Sequence, residues 1–288
     1  MNQPPRAIRV ALALTFVLIA PALLAASHEN KALAAPGSAD AIFAIGEGGG
    51  LEPIAVRQNG KFIAPGSNDG GPSRSLATAA AAAVQSAGNH VNVLFGGRVI
   101  ATVPAKIDHG EVTITVPASL HLTGHVSALA STLTGYAKSP RRAPTPRERA
   151  FALATAAKKL HTTAAHLTVR NLTAIDLGRG MALVGTVDLR GTGTPRTDKR
   201  LFFVDDPIPG NTNATYIPAI ANVQTIKVTE PLLEEPAEYL VDAVDLGHNT
   251  PALITSIIGY DANTFAIYTR TKSGPTWKNV YEGGGGAM

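Results

Sequence analysis

Short apolar runs, several of them alternating with polar residues, recur along most of this chain as strand signals, and two stretches read as helices. Phe43, Ile45, Ile54, Val56 and Phe62 alternate around a glycine loop at 46–50 and around Asn59-Gly60, the dipeptide that suits a type I′ turn. They predict hairpins over 41–64. The alanine-rich stretch 73–86, with Ser73 as N-cap and Gly88 as stop, predicts a helix. Val91, Val93 and Phe95, then Gly96-Gly97, then 99–103 predict a second hairpin. Val112, Ile114 and Val116 alternate with threonines as a half-buried strand. Residues 119–136 show no clean period, although Leu120, Leu122, Val126, Leu129 and Leu133 supply core.

Thr145, Pro146 and Glu148 form a capping box with proline in the first turn, and they predict a helix to about His161. From there the pattern is almost all strand: 167–176, 181–189, 200–205, 214–228, 238–245, 252–259, 263–270 and 276–281. The fold class is therefore α+β, mainly antiparallel β. Hairpins and two helices occupy the N-terminal half, and a β-meander or propeller-blade-like arrangement the C-terminal half. The expected organisation is a leader at 1–27, a hairpin and helix region at 28–145, and a helix plus β-rich region at 146–288, with the last two free to form one domain.

The leader changes what the chain can do. Arg6 and Arg9 precede an uncharged, mostly aliphatic stretch at 10–26, shorter than the roughly 20 residues a spanning helix needs. Ala25-Ala26-Ser27 and Ala32-Leu33-Ala34 offer cleavage sites. This pattern predicts an exported protein, periplasmic or secreted, with no permanent membrane span after cleavage; an uncleaved anchor is the other reading. The 288 residues are 45% hydrophobic and 16% charged, the composition of a folded protein, and the chain has no cysteine, which excludes disulfides and thiolate chemistry. Two of the 25 Lys and Arg residues fall in the leader, which leaves 23 against 21 acids. A near-neutral exported chain does not suit nucleic-acid binding. The one dense basic run, 138–149, is broken by prolines and reads as a solvated linker, or else as a contact for an anionic surface.

Two segments match each other. Val187-Asp188-Leu189 and Val244-Asp245-Leu246 each lead through a Gly- or Asn-rich turn to Thr-Pro and another apolar run. These segments resemble the FG-GAP/VCBS-type repeats of secreted bacterial proteins, in which an acidic loop between two strands binds Ca²⁺. The tail from Gly259-Tyr260 through Tyr268, Trp277 and Tyr281 looks like the end of such a unit. The resemblance makes Asp188, Asp245 and Asn249 the candidate Ca²⁺ ligands and makes a Ca²⁺-stabilised adhesion module one functional expectation. The residues themselves say otherwise. Ca²⁺ takes six to eight oxygens, whereas Arg190 and Thr192 follow Asp188, and Gly247 separates Asp245 from Asn249. Asp188 and Asp245 read better as turn residues that bond the following backbone N–H groups, with no metal and no cofactor.

The familiar catalytic signatures, such as a G-x-S-x-G elbow, an H-E-x-x-H helix or a P-loop, do not occur. His121 and His125 have ligand-like spacing, but on a strand they lie about 13 Å apart. His109 sits in a turn, and His161 and His166 flank the end of the second helix. The neighbouring acids Asp205-Asp206 and Glu234-Glu235 diverge to opposite faces of a strand. Tyr260, Tyr268, Trp277 and Tyr281 are the candidate binding residues: they concentrate aromatic area in the last third, as cross-strand packing or as a stacking face. The expected function is a non-catalytic binding or structural module of the cell envelope that meets an envelope protein or glycan. A hydrolase whose carboxylates and His248 or His125 meet only in the fold is the alternative.

Overall fold

The structure, a computed structural model, describes residues 39–63, 74–117, 128–137, 139, 141–208, 215–228, 237–259, 263–271 and 276–285. The leader at 1–27, His121, His125, Glu234, Glu235 and Tyr260 lie outside them. The described residues belong to one compact unit, Ala35–Met288. No helix among them is long and apolar enough to cross a membrane.

The N-terminal strands are β1 (Ala39–Ile45), β2 (Gly50–Gln58), β3 (Lys61–Phe62), β4 (His90–Phe95), β5 (Arg98–Asp108), β6 (Glu111–Ile114) and β7 (Leu129–Ser131). They pair in the order β1-β7-β4-β5-β6-β2-β3, and β2 also pairs with β1, so six strands close into an antiparallel ring. The predicted turns are present: Asn59 (φ 50°) and Gly60 (φ 77°) join β2 to β3, as a type I′ hairpin requires. Helix α1 (Arg74–Ser86) packs Leu76, Ala80 and Val84 against Phe43, Val56, Val91 and Val93 on one face of this ring. Its alanines let the helix backbone approach the strands closely.

β1 has no polar face because both of its sides are buried. Ala41, Phe43 and Ile45 belong to the cluster with α1, whereas Ile42 and Ala44 point the other way, toward a second sheet. That sheet contains β8 (Thr134–Gly135), β13 (Ala237–Asp245), β14 (Pro251–Ile258), β15 (Asn263–Arg270) and β16 (Trp277–Gly283), in the order β16-β15-β14-β13-β8. Ile254, Phe265 and Ile267 meet the ring. Leu253, Ala266 and Tyr268 face the third sheet. The third sheet is the meander β9 (Leu167–Asp176), β10 (Met181–Leu189), β11 (Arg196–Pro207) and β12 (Tyr216–Val228). Its Val184, Phe202 and Val204 complete that interface, while Leu183, Leu201 and Phe203 turn to helix α2 (Pro146–Leu160). The layers are thus α2, meander, second sheet, ring with α1. Each fully buried large side chain contributes about 1.5–3 kcal/mol.

Local chemistry explains both helix boundaries of α2. The Thr145 hydroxyl accepts from the Glu148 N–H, the Glu148 carboxylate accepts from the Thr145 N–H at 2.7 Å, and His161 ends the helix in the left-handed region. The basic run before it is anchored: Arg142 forms a two-way backbone bridge with Ala174 at the free edge of β9.

Candidate functional site

Three of the four candidate aromatic residues are described, and each ring is buried and bonded inward. The Tyr268 hydroxyl donates to Glu238 Oε1 at 2.8 Å and accepts from Asn222 at 2.9 Å; burial, with the Glu238 charge beside it, raises its pKa. Trp277 Nε1 donates to Asp206 Oδ2 at 3.3 Å. Tyr281 donates to the Ile54 carbonyl at 2.7 Å, and burial pushes its hydroxyl up to about 12. Their exposures of 6–7% leave no stacking face. The aromatic concentration in the last third is spent on joining the sheets, as cross-strand rings normally are.

The loop acids are also engaged. Asp188 holds the Arg200 guanidinium at 2.6 and 3.1 Å and accepts from Arg170 Nε as well. Burial opposes its ionisation, but the two arginines outweigh this and keep its pKa below the usual range. Asp245 accepts the N–H groups of Gly247 at 2.9 Å and Thr250 at 3.0 Å, the expected turn role. Asn249 and His248 form that turn at positive φ, with exposed side chains. In both sheets this loop joins the second and third strands counted from the β9 or β8 edge. No group of three or more His, Cys, Asp or Glu among the described residues is arranged to hold a metal ion.

Asp205 and Asp206 part as strand neighbours do. Asp206 receives Arg270 through two bonds of 3.0 and 2.8 Å. Asp205 is fully buried, neither of its oxygens has a partner, and burial lifts its pKa to about 7. Asp242 on β13 is a second such acid. Its Oδ1 accepts from the Gly97 and Ala243 N–H groups, its Oδ2 has no partner, and burial raises it to about 7 against the pull of Arg141. Neither acid is accessible to a substrate. Of the described histidines, His109 is exposed beside Asp108 at 2.7 Å, and His161 and His166 are exposed at the end of α2.

The feature that the sequence patterns did not single out is a groove of about 770 Å³ between the β4–β5 hairpin and the β9 edge. Phe95, Val99 and Ile100 line it and are 41–43% exposed. Their exposure has a structural cause. Val93 pairs with Ala101 and Leu94 with Val99, so Ile100 is an extra residue, and such a bulge re-aims the side chains around it. The turn Gly96-Gly97 is at positive φ, and a Cβ on Gly97 would come within 2.5 Å of the Ala137 Cβ. Arg98 is the cross-strand partner of Phe95, and the Arg141 guanidinium lies 5.7 Å from the Phe95 ring centroid. Arg142 also lines the groove, but Glu148 neutralises it through two bonds of 2.7 and 2.8 Å. That pairing draws the Glu148 pKa down to about 2. No acidic residue is among the described residues that line the groove. Burial and the Glu148 charge take Tyr216, which donates to Glu148 at 3.3 Å, up to about 12. A smaller hollow of about 460 Å³ beside α1 carries Glu52 and Glu111, and burial raises the Glu52 pKa.

Comparison of the chain with protein-family models, curated proteins and solved structures found no match.

Proposed function

We propose that the chain is an exported, non-catalytic binding module of the cell envelope, with the groove at the β4–β5 hairpin as its contact surface. The observation that carries this reading is where unspent side chains collect. Phe95, Val99 and Ile100 are three of the five large apolar side chains exposed among the described residues, and they share one groove with Arg98 and Arg141. By contrast, Tyr268, Trp277, Tyr281, Asp188 and Asp245 are tied to internal partners. Contiguous exposed apolar surface beside charge marks an interaction site. The export half of the proposal rests on the positive, aliphatic and small-residue order of 1–27.

The test has two arms. The full chain and a form lacking residues 1–27 are expressed in a bacterium and fractionated; export predicts that only the full chain leaves the cytoplasm. Washed envelope fractions then compare the wild type with the Phe95→Ser/Ile100→Ser variant. The wild type is expected to stay bound and the variant to wash off. Cytoplasmic accumulation of the full chain would overturn export, and equal retention would overturn the groove.

A further inference from the structure

We infer that the groove binds a single-chain amphiphile with an anionic headgroup, as a monomer. This rests on the groove being the contact surface and names its ligand class. The charge argument comes first. Arg142 is already neutralised by Glu148, whereas Arg98 is exposed with no ion-pair partner among the described residues. Arg141 spends one N–H on the Val241 carbonyl at 3.3 Å and otherwise lies over the Phe95 ring. The Arg141 guanidinium thus lies over the Phe95 ring and Arg98, the cross-strand partner of Phe95, shares the groove, with no carboxylate among the described residues of the lining. Arginine's planar fork fits a carboxylate or phosphate in two bonds.

The apolar surface supplies the second half of the ligand. Val99, Ile100 and Leu240 also line the groove. A volume of about 770 Å³ falls within the roughly 300–1,000 Å³ of small-molecule clefts. The framework is held in place from behind: the buried Asp242 carboxylate accepts the Gly97 N–H and so fixes the turn that carries Phe95 and Arg98. An acyl chain along the wall with its head between Arg98 and Arg141 satisfies both features at once.

Calorimetric titration of the purified chain tests this with four probes: dodecanoate below its micellar concentration, acetate, dodecyltrimethylammonium, and vesicles containing anionic phospholipid. Saturable one-to-one binding of dodecanoate is expected, with no binding of acetate and binding of the cationic amphiphile at least about tenfold weaker. Arg98→Gln/Arg141→Gln should weaken dodecanoate about tenfold or more, because bonds to a charged group are the strong ones. Lys106→Gln removes an exposed charge from β5 outside the groove and should change nothing; thermal melts confirm that the variants fold. Equal affinity for both amphiphiles, equal weakening by Lys106→Gln, or vesicle binding without dodecanoate binding would each overturn the inference. If dodecanoate fails while Phe95→Ser/Ile100→Ser still loses envelope retention, only the ligand class falls. If retention is also unaffected, the groove falls with it.

Discussion

Two arginines in the described residues lie over aromatic rings, and the two pairs are finished differently. Arg270 lies 5.0 Å from the Trp277 centroid, and Asp206 grips it with two bonds while also accepting the indole N–H. All three side chains are buried between the meander and the second sheet. Arg141 lies 5.7 Å from the Phe95 centroid, but the acid nearest in role, Asp242, is turned inward to the Gly97 N–H. The first pair is buried and bonded to a carboxylate and to the Leu177 carbonyl, and it serves cohesion. The second retains charge and apolar area facing outward, which is what a ligand can use.

The largest expected effect comes from breaking the finished pair. Arg270→Met leaves the buried Asp206 without its counter-charge and should cost about 3–5 kcal/mol in urea unfolding. Arg141→Gln, at a half-exposed position, should stay within about 0.5 kcal/mol. Similar losses at the two arginines would erase the contrast.

The two buried acids that carry an unpaired oxygen give the next effect. Asp205 and Asp242 hold their protons to about 7 in the folded state, against an ordinary value of 3.8. Between these limits the unfolded chain releases protons that the folded chain keeps, so stability should fall as pH rises from about 4 to about 7 and then level off. Asp205→Asn removes one of these contributions. It should stabilise the chain at pH 8 by on the order of 2–4 kcal/mol and gain nothing at pH 4. A gain that does not depend on pH would contradict the assignment.

Glu148 carries the opposite sign. Its pKa is drawn down to about 2 by Arg142, so its stabilisation is present above its ordinary 4.5 and is lost as pH falls toward 2. Glu148→Gln should cost about 1–2 kcal/mol at pH 7 and little at pH 2, measured by chemical denaturation. It also frees Arg142 and should tighten dodecanoate binding.

The smallest effect concerns the loop acids. Asp245→Ala removes the acceptor for two N–H groups and should cost about 1 kcal/mol. Millimolar Ca²⁺ added after EDTA should leave Tm unchanged, because Asp188 is occupied by guanidiniums. An upward shift of several degrees would restore these acids as ligands.

Much of the local structure was legible in the sequence because its signals are local. The capping box at Thr145 and Glu148 fixed the start of α2, the strand expected at 263–270 matches β15 residue for residue, and Asn59-Gly60 located its hairpin. Ring closure was not legible. β7 is only three residues long and buried on both faces, so it has no alternation to read, yet it links β1 to β4. The groove escaped for a related reason. Phe95 and Val99 look like ordinary core positions of a hairpin, and only the extra residue at Ile100 turns this edge outward. Arg141 sits in a proline-rich run whose composition suggested solvent; only the backbone bridge at Arg142 brings it to Phe95.

Hydrogen exchange with and without dodecanoate, read by mass spectrometry across the chain, tests the central contrast most directly. Slowed exchange at residues 92–102, 141–143 and 171–173, with residues 265–283 unchanged, is the predicted result. Slowing in 265–283 instead, or nowhere, would contradict the account.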